Sequence, residues 1–130
     1  MDSMATAEST NLDTIKAAFD VSANQGFMAG LEILLARARE DCEFRPYIAS
    51  GESLRGPDAV RAFYRSAIKA GTDMRLRGAR FHEDGESVIV DGSMRVGRPA
   101  GGFSESQISW RYKFRDGLLA EVSWSPRGRA

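Results

Sequence analysis

The chain has 130 residues, 18 of them basic and 18 acidic, so its formal net charge is zero. With 42% hydrophobic and 28% charged residues it has the composition of one globular domain, which excludes disorder along its whole length. No apolar run approaches the roughly 18 residues that a membrane span needs, and Met1–Asn11 lacks the charged-then-apolar pattern of a secretory signal.

Met1–Thr10 is small and polar and reads as a disordered tail, leaving a single expected domain over residues 11–126. Asn11 is placed to cap a first helix, with Asp13 in its first turn. Ile15, Ala18, Phe19 and Ser22 share one face of that helix, and Asn24-Gln25-Gly26 stops it. The pattern predicts a second helix over about Phe27–Glu40 that buries Met28, Leu31, Leu34, Leu35 and Ala38. Asp41–Tyr47 is expected to be extended, because Pro46 biases its predecessor away from the helical region. Ala49–Gly56 reads as a polar loop. In the third helix Pro57 takes the first position, where its missing N–H costs nothing, and Asp58 complements the helix dipole. Val60, Phe63, Tyr64, Ala67 and Ile68 follow at i, i+3, i+4, i+7 and i+8, and Gly71 ends the element.

From Asp73 the hydrophobic period changes from 3.6 to 2. Strands are predicted over Met74–His82 and Ser87–Arg98, joined through Glu83-Asp84-Gly85, and over Ser106–Phe114 and Leu118–Ser125, joined through Arg115-Asp116-Gly117. Pro99–Phe103 makes a glycine-rich turn between the hairpins. The basic end from Pro126, residues 127–130 above all, reads as a loose tail. Ile108, Trp110, Tyr112 and Phe114 fall on one side of their strand, as do Ala120, Val122 and Trp124 on the next, and Val88, Val90, Met94 and Val96 on the third. In the first strand Phe81 breaks the parity of Met74 and Leu76, which predicts a β-bulge near Gly78. The expected fold class is α+β, three N-terminal helices packed on the apolar face of an antiparallel sheet, without repeats.

One cysteine, Cys42, forbids an internal disulfide and favours a reducing, cytoplasmic setting. One histidine, His82, excludes a multi-histidine metal site, and neither a metal nor a redox cofactor is expected. Within the zero charge balance, Met1–Phe44 carries 8 acids against 3 bases, and arginines outnumber lysines 15 to 3. Codon bias accounts for such an excess, and so does a need to grip anions with a planar fork.

Several landmarks in this order resemble a known family. The break at Asn24-Gln25-Gly26 and the run Cys42-Glu43-Phe44-Arg45-Pro46 come first. The glycine-led third helix follows from Leu54-Arg55-Gly56-Pro57-Asp58 to Ala59-Val60-Arg61-Ala62-Phe63-Tyr64. The aromatic strand and hairpin Trp110-Arg111-Tyr112-Lys113-Phe114-Arg115-Asp116-Gly117-Leu118-Leu119 comes last. Over about Leu12 to Ser125 the chain resembles the nuclear-transport-factor-2-like superfamily, in particular its SnoaL-like branch. The resemblance implies a cystatin-like cone, in which a curved sheet wraps the helices around a pocket, and a dimer formed through the outer sheet face. Ketosteroid isomerase, a member of that superfamily, needs an aspartate base and an oxyanion hole of a tyrosine and a protonated acid. The matching positions here are Phe44 or Arg45 for the base, Phe19 for the tyrosine and Trp110 for the acid. None of these side chains can take those roles, so isomerase activity is not expected. Cyclase and epoxide-hydrolase chemistries that need inward carboxylates are weakened by the same apolar interior.

By this resemblance Tyr64 matches a helix-three tyrosine that faces the pocket. With Phe19, Met94, Trp110, Tyr112, Trp124 and Met28 it outlines an aromatic interior, either a ligand pocket or an ordinary core. Arg45 and Tyr47 fall at the expected mouth. Arg45 could hold a ligand carboxylate or enolate, or pair with Glu43 or Glu40. His82 with Glu83 and Asp84 reads as a solvated hairpin tip, Cys42 as a buried thiol, and Asp91 as outward-facing. Glu105-Ser106-Gln107 lacks the glycines of a nucleophile elbow.

The outer face gathers Arg75, Arg77, Arg95, Arg111 and Lys113 against Asp91 and Glu121. A homodimer through this face is the expectation. Nucleic-acid binding is disfavoured, because stacking aromatics would have to share the basic face and here they point the other way. Two functions remain. One is a pocket that binds, and in an enzyme transforms, a small hydrophobic molecule, with Tyr64 as the acid and Arg45 as the electrostatic stabiliser. The other is a non-catalytic dimeric interaction module whose aromatics fill the cone.

Overall fold

Helix α1 (Ser3–Gln25) starts eight residues ahead of the expected Asn11 cap, so the segment read as a disordered tail is largely helical. Met4, Ala5, Ala7 and Glu8 are good helix formers and no glycine or proline interrupts them. Asn11 is therefore an interior position, only 8% exposed. The computed structural model describes residues 3–46 and 53–127; the expected loop Ala49–Gly56 is described only from Ser53, and Tyr47 lies outside the described residues.

Gly26, at φ 109°, ends α1 and reverses the chain into α2 (Phe27–Leu35). The two helices cross closely, since a Cβ on Gly30 would stand 2.4 Å from the Ala18 carbonyl oxygen. Helix α2 stops at Leu35, not near Glu40, and Ala38–Phe44 is strand β1. Arg37 explains the early stop. Its carbonyl accepts the Leu119 N–H at 2.8 Å, while its guanidinium bonds the Thr14 hydroxyl at 3.1 Å and the Gly117 carbonyl. These long-range bonds override the local helical pattern of residues 36–40. Strand β2 (Leu54–Arg55) pairs with β1 across the stretch read as loop.

Helix α3 (Pro57–Lys69) begins and ends within the predicted signals, with Val60 and Tyr64 buried. Arg61 locks it to α2 through a fork onto Glu32, Nε at 2.7 Å from Oε2 and Nη2 at 2.9 Å from Oε1, with Nη1 2.9 Å from Asp58. The Arg61 hydrogen bonds hold the Glu32 carboxyl below its ordinary range.

Strands β3 (Asp73–Asp84), β4 (Ser87–Gly97), β5 (Phe103–Arg115) and β6 (Leu118–Pro126) complete a six-stranded sheet in the order β2-β1-β6-β5-β4-β3. The α+β expectation holds, with one refinement: β1 runs parallel to β6, so the sheet is mixed, not antiparallel throughout. The hairpin turns are shorter than predicted. Asp116 (φ 54°) and Gly117 (φ 79°) make a two-residue turn, and β3 extends to Asp84, which puts His82 in the strand opposite Ile89. Pro126 belongs to β6, and Arg127, read as loose, bonds Gln107 through its backbone N–H at 2.9 Å. Among the described residues no helix is long and apolar enough to cross a membrane.

The bulge predicted near Gly78 lies between Gly78 and Arg80. It turns Phe81 onto Phe19, edge to face at 5.4 Å between ring centroids. Gly78 stands opposite Gly92, and a Cβ on Gly92 would come within 1.9 Å of the Arg77 carbonyl oxygen. That neighbour is backbone and cannot swing aside. Gly92→Ala should therefore cost about 1–3 kcal/mol, the range for overpacking, read as a lower urea midpoint with an unchanged slope.

Candidate functional site

The inward faces of α1, α2, α3 and the sheet converge on the cone interior. Alternation along β5 sends Trp110 and Tyr112 inward, and β4 sends in Met94. Helical spacing brings Phe19 from α1 and Tyr64 from α3 to meet them. Phe19 stands edge-on to Trp110 at 5.4 Å and to Tyr112 at 6.2 Å. Tyr64 packs against Phe27 at 4.8 Å and Phe44 at 6.0 Å.

These side chains leave a chamber of about 30 Å³ among them. That is about the share of liquid volume taken by one water molecule. Of the residues expected at a pocket, Phe19, Arg45, Tyr64, Met94, Trp110 and Tyr112 line the chamber. Trp124 does not. It is half-buried, its ring beneath the Arg45 guanidinium at 5.8 Å. Met28 lines a separate crevice outside.

Arg45 follows the last residue of β1, and its backbone N–H bonds the Val122 carbonyl at 2.9 Å. Neither Glu43 nor Glu40 pairs with its guanidinium, and among the described residues it is the only charged side chain lining the chamber. Tyr112 is 3% exposed, and burial, then the nearby Tyr64, push its hydroxyl well above the ordinary tyrosine range. No group among the described residues hydrogen-bonds that hydroxyl. It is a neutral donor at any physiological pH and cannot serve as a base. Sequence reasoning placed Tyr112 in the wall but missed it as a donor, because the absence of a protein partner is a three-dimensional fact.

The remaining candidates lie elsewhere. Cys42 is buried at β1, its thiol pushed up to about 11 by burial and by the carboxylates of Asp41, Glu121 and Glu43. It is an inert thiol. His82 is exposed and, with Asp84 and Arg111, borders a shallow hollow on the outer sheet face. Asp91 is half-buried on that face, opposite Ser109. Of the outer-face cations, Arg111 is held by Asp84 at 3.4 Å and Arg75 by Asp73 at 3.2 Å. Among the described residues no three histidine, cysteine or acidic side chains cluster as metal ligands do.

The model of the SnoaL-like domain family matches residues 9–122. The chain belongs to that family. Solved structures place the SnoaL-like chain in the same fold at low identity. An NTF2-like protein of unknown function from Burkholderia pseudomallei is 23% identical over 90% of each chain, with a TM-score of 0.74. TerC, crystallised with polyporic acid, is 21% identical over 90% of this chain and 91% of its own, with a TM-score of 0.72. A Mycobacterium tuberculosis protein in complex with estradiol-17beta-hemisuccinate is 16% identical over 87% of this chain and 90% of its own, with a TM-score of 0.68. No curated protein matches the SnoaL-like sequence.

Proposed function

We propose that this SnoaL-like protein binds a small hydrophobic molecule that carries a hydrogen-bond acceptor, its acceptor reaching Tyr112 in the chamber while the bulk of its ring lies outside that small space. One observation carries the reading. The Tyr112 side chain is buried, its hydroxyl is held neutral and makes no hydrogen bond to the described residues, and it lines a chamber whose wall is aromatic and aliphatic apart from Ser22 and Arg45. A ligand carbonyl in the chamber accepts that O–H in place of water, and the low-dielectric surroundings strengthen the bond. Two of the same-fold structures hold ring-bearing ligands, polyporic acid and a steroid ester, which supports the chemical class. If a reaction follows, Tyr112 stabilises developing negative charge on the ligand oxygen and Arg45 adds a fixed positive charge at the chamber wall. That assigns the donor role to Tyr112 in place of Tyr64, whose ring is wedged among Phe27, Phe44 and Phe63. The single buried thiol, Cys42, fits a reducing, cytoplasmic compartment.

The test is a thermal-shift series with 2-acetylnaphthalene and 2-ethylnaphthalene, which differ in the acceptor. The ketone should raise the Tm more, and Tyr112→Phe should weaken ketone binding about 5- to 10-fold, one lost hydrogen bond, with little effect on the hydrocarbon. No shift with either compound sinks the reading.

A second reading, the non-catalytic dimeric module, is favoured by the small chamber volume, about 30 Å³. Its interface is the outer sheet face, where Ile89 and Ser93, each 9% exposed, are uncharged outward residues of β4. Sedimentation at micromolar concentration separates the two. A dimer broken by Ile89→Asp, with no ligand response, supports the module; a monomer sinks it.

A further inference from the structure

The chamber shares Phe19, Ser22, Phe27 and Leu76 with a much larger crevice between α1, the start of α2 and β3. The crevice holds about 1340 Å³ of open volume, against about 30 Å³ in the chamber. An organic molecule that reaches the chamber through this shared wall therefore leaves most of its bulk in the crevice. The crevice floor is apolar, formed by Phe19, Phe27, Met28, Leu76 and Phe81.

Its rim is not apolar. Strand β3 is the edge of the sheet, so side chains of its outer face border the crevice as well. Arg75, Arg77 and Arg95 all line it. Arg75 stands directly opposite Arg95 in the β3–β4 register, and Arg77 is the next outward residue along β3. Like charges directly opposite on a sheet are destabilising, so this cluster stands at a cost to the fold. The compensation is incomplete. Asp73 pairs with Arg75 at 3.2 Å, while Arg95 lies over the Phe103 ring at 3.7 Å and faces Glu105 only in register. Arg77 and Arg95 make no ion pair among the described residues. On the facing helix Lys16 adds a further cation, and Asp20 is the one carboxylate of α1 on the crevice, accepting a bond from Asn24 at 3.3 Å.

We propose that the crevice binds an amphipathic carboxylate, whose apolar body lies on the Phe19–Phe81 floor with its ring end at the chamber and whose carboxylate is gripped by Arg77 and Arg95. The inference rests on the reading of the cone as a ligand chamber and adds to it the class of ligand. Planar guanidinium forks suit a carboxylate better than point charges do, and an apolar floor beside them selects for a molecule with both parts.

The experiment compares 4-(2-naphthyl)butanoate with 4-(2-naphthyl)butan-1-ol, identical in ring and chain but for the end group. Binding is read by calorimetry and by quenching of tryptophan fluorescence. The wild-type protein should bind the acid at least about tenfold tighter than the alcohol, the size of a charge-assisted contact. Arg77→Glu and Arg95→Glu should each remove that preference while leaving alcohol binding unchanged, and added salt should weaken only the acid. Both positions are exposed, and Arg77→Gln with Arg95→Gln serves as a milder pair should charge reversal impair folding. Equal binding of acid and alcohol, or a preference that survives both substitutions, overturns the carboxylate site and leaves the chamber intact. Binding of neither compound overturns this inference, and if 2-acetylnaphthalene also fails to bind, the chamber falls with it.

Discussion

Trp110→Ala should be the most costly single substitution in the cone and should also turn the chamber into a measurable binding site. Trp110 is 5% exposed, faces Val90 and Trp124 across the two neighbouring strands, and meets Phe19 edge-on at 5.4 Å. Truncating a buried tryptophan to alanine costs about 3–5 kcal/mol, transfer and cavity terms together. The void joins the existing chamber of about 30 Å³, because Trp110 is part of its wall. The merged space approaches the roughly 150 Å³ at which an apolar cavity stays dry and takes up benzene.

Benzene or indole at saturating concentration should accordingly raise the Tm of the variant much more than that of the wild type. At a ligand concentration about 100 times Kd the recovery is about 2.7 kcal/mol, a large part of the loss. A destabilised variant that no small aromatic rescues would show that helices α1 and α2 collapse onto the sheet, and that the cone has no persistent interior. The comparison therefore bears on both functional readings. A filled module and a ligand chamber lose similar stability, but only walls that hold their positions leave a space to refill.

How much of this was legible in advance varies along the chain for physical reasons. Helix α3 was readable because Pro57, Asp58 and the spacing from Val60 to Ile68 are local signals that tertiary contacts reinforce. Strand β5 was readable because buried and more exposed residues alternate along it, and β4 from the parity of Val88, Val90, Met94 and Val96, although its outward Ser87, Ile89 and Ser93 are buried as well. Strand β1 was legible only from Asp41, through Pro46; Ala38–Glu40 read as helix, since these residues are only half-buried or exposed and their partner β6 is distant in sequence. Bonds from Arg37 to Thr14 and Gly117 decide where α2 ends, and nothing in the local pattern announces them. At the site, landmark spacing placed Phe19, Tyr64 and Trp110 together. It could not give the chamber's volume, which is what remains after Phe27, Leu76 and the rings have packed. Ala120 was read by parity as inward, but the register shift next to Phe114 puts Leu119 in the core instead; Trp124 keeps the parity of Val122 and packs against the core beneath Arg45, outside the chamber.

The alkaline limb of the stability curve should be steep, and two buried groups account for it. The Cys42 thiol is pushed from an ordinary 9.0 up to about 11, chiefly by burial. Tyr112 is raised from an ordinary 10.0, again chiefly by burial and secondarily by Tyr64. Both groups are neutral when protonated, so a raised value means that the folded chain keeps a proton that the unfolded chain has lost. Stability therefore falls as pH rises, by about 1.4 kcal/mol per pH unit for each group. The Cys42 contribution is fully present below about pH 9 and is lost between there and about pH 11, while that of Tyr112 starts to be lost near pH 10 and continues beyond. Urea midpoints measured from pH 8 to pH 11 should show a first break near pH 9 and a steeper one near pH 10. Cys42→Ala should remove the first break and Tyr112→Phe the second, each leaving the other in place, since the two side chains titrate independently. A limb unchanged by Tyr112→Phe would mean that its hydroxyl reaches solvent, and with that the neutral donor on which the proposed ligand site depends would be lost.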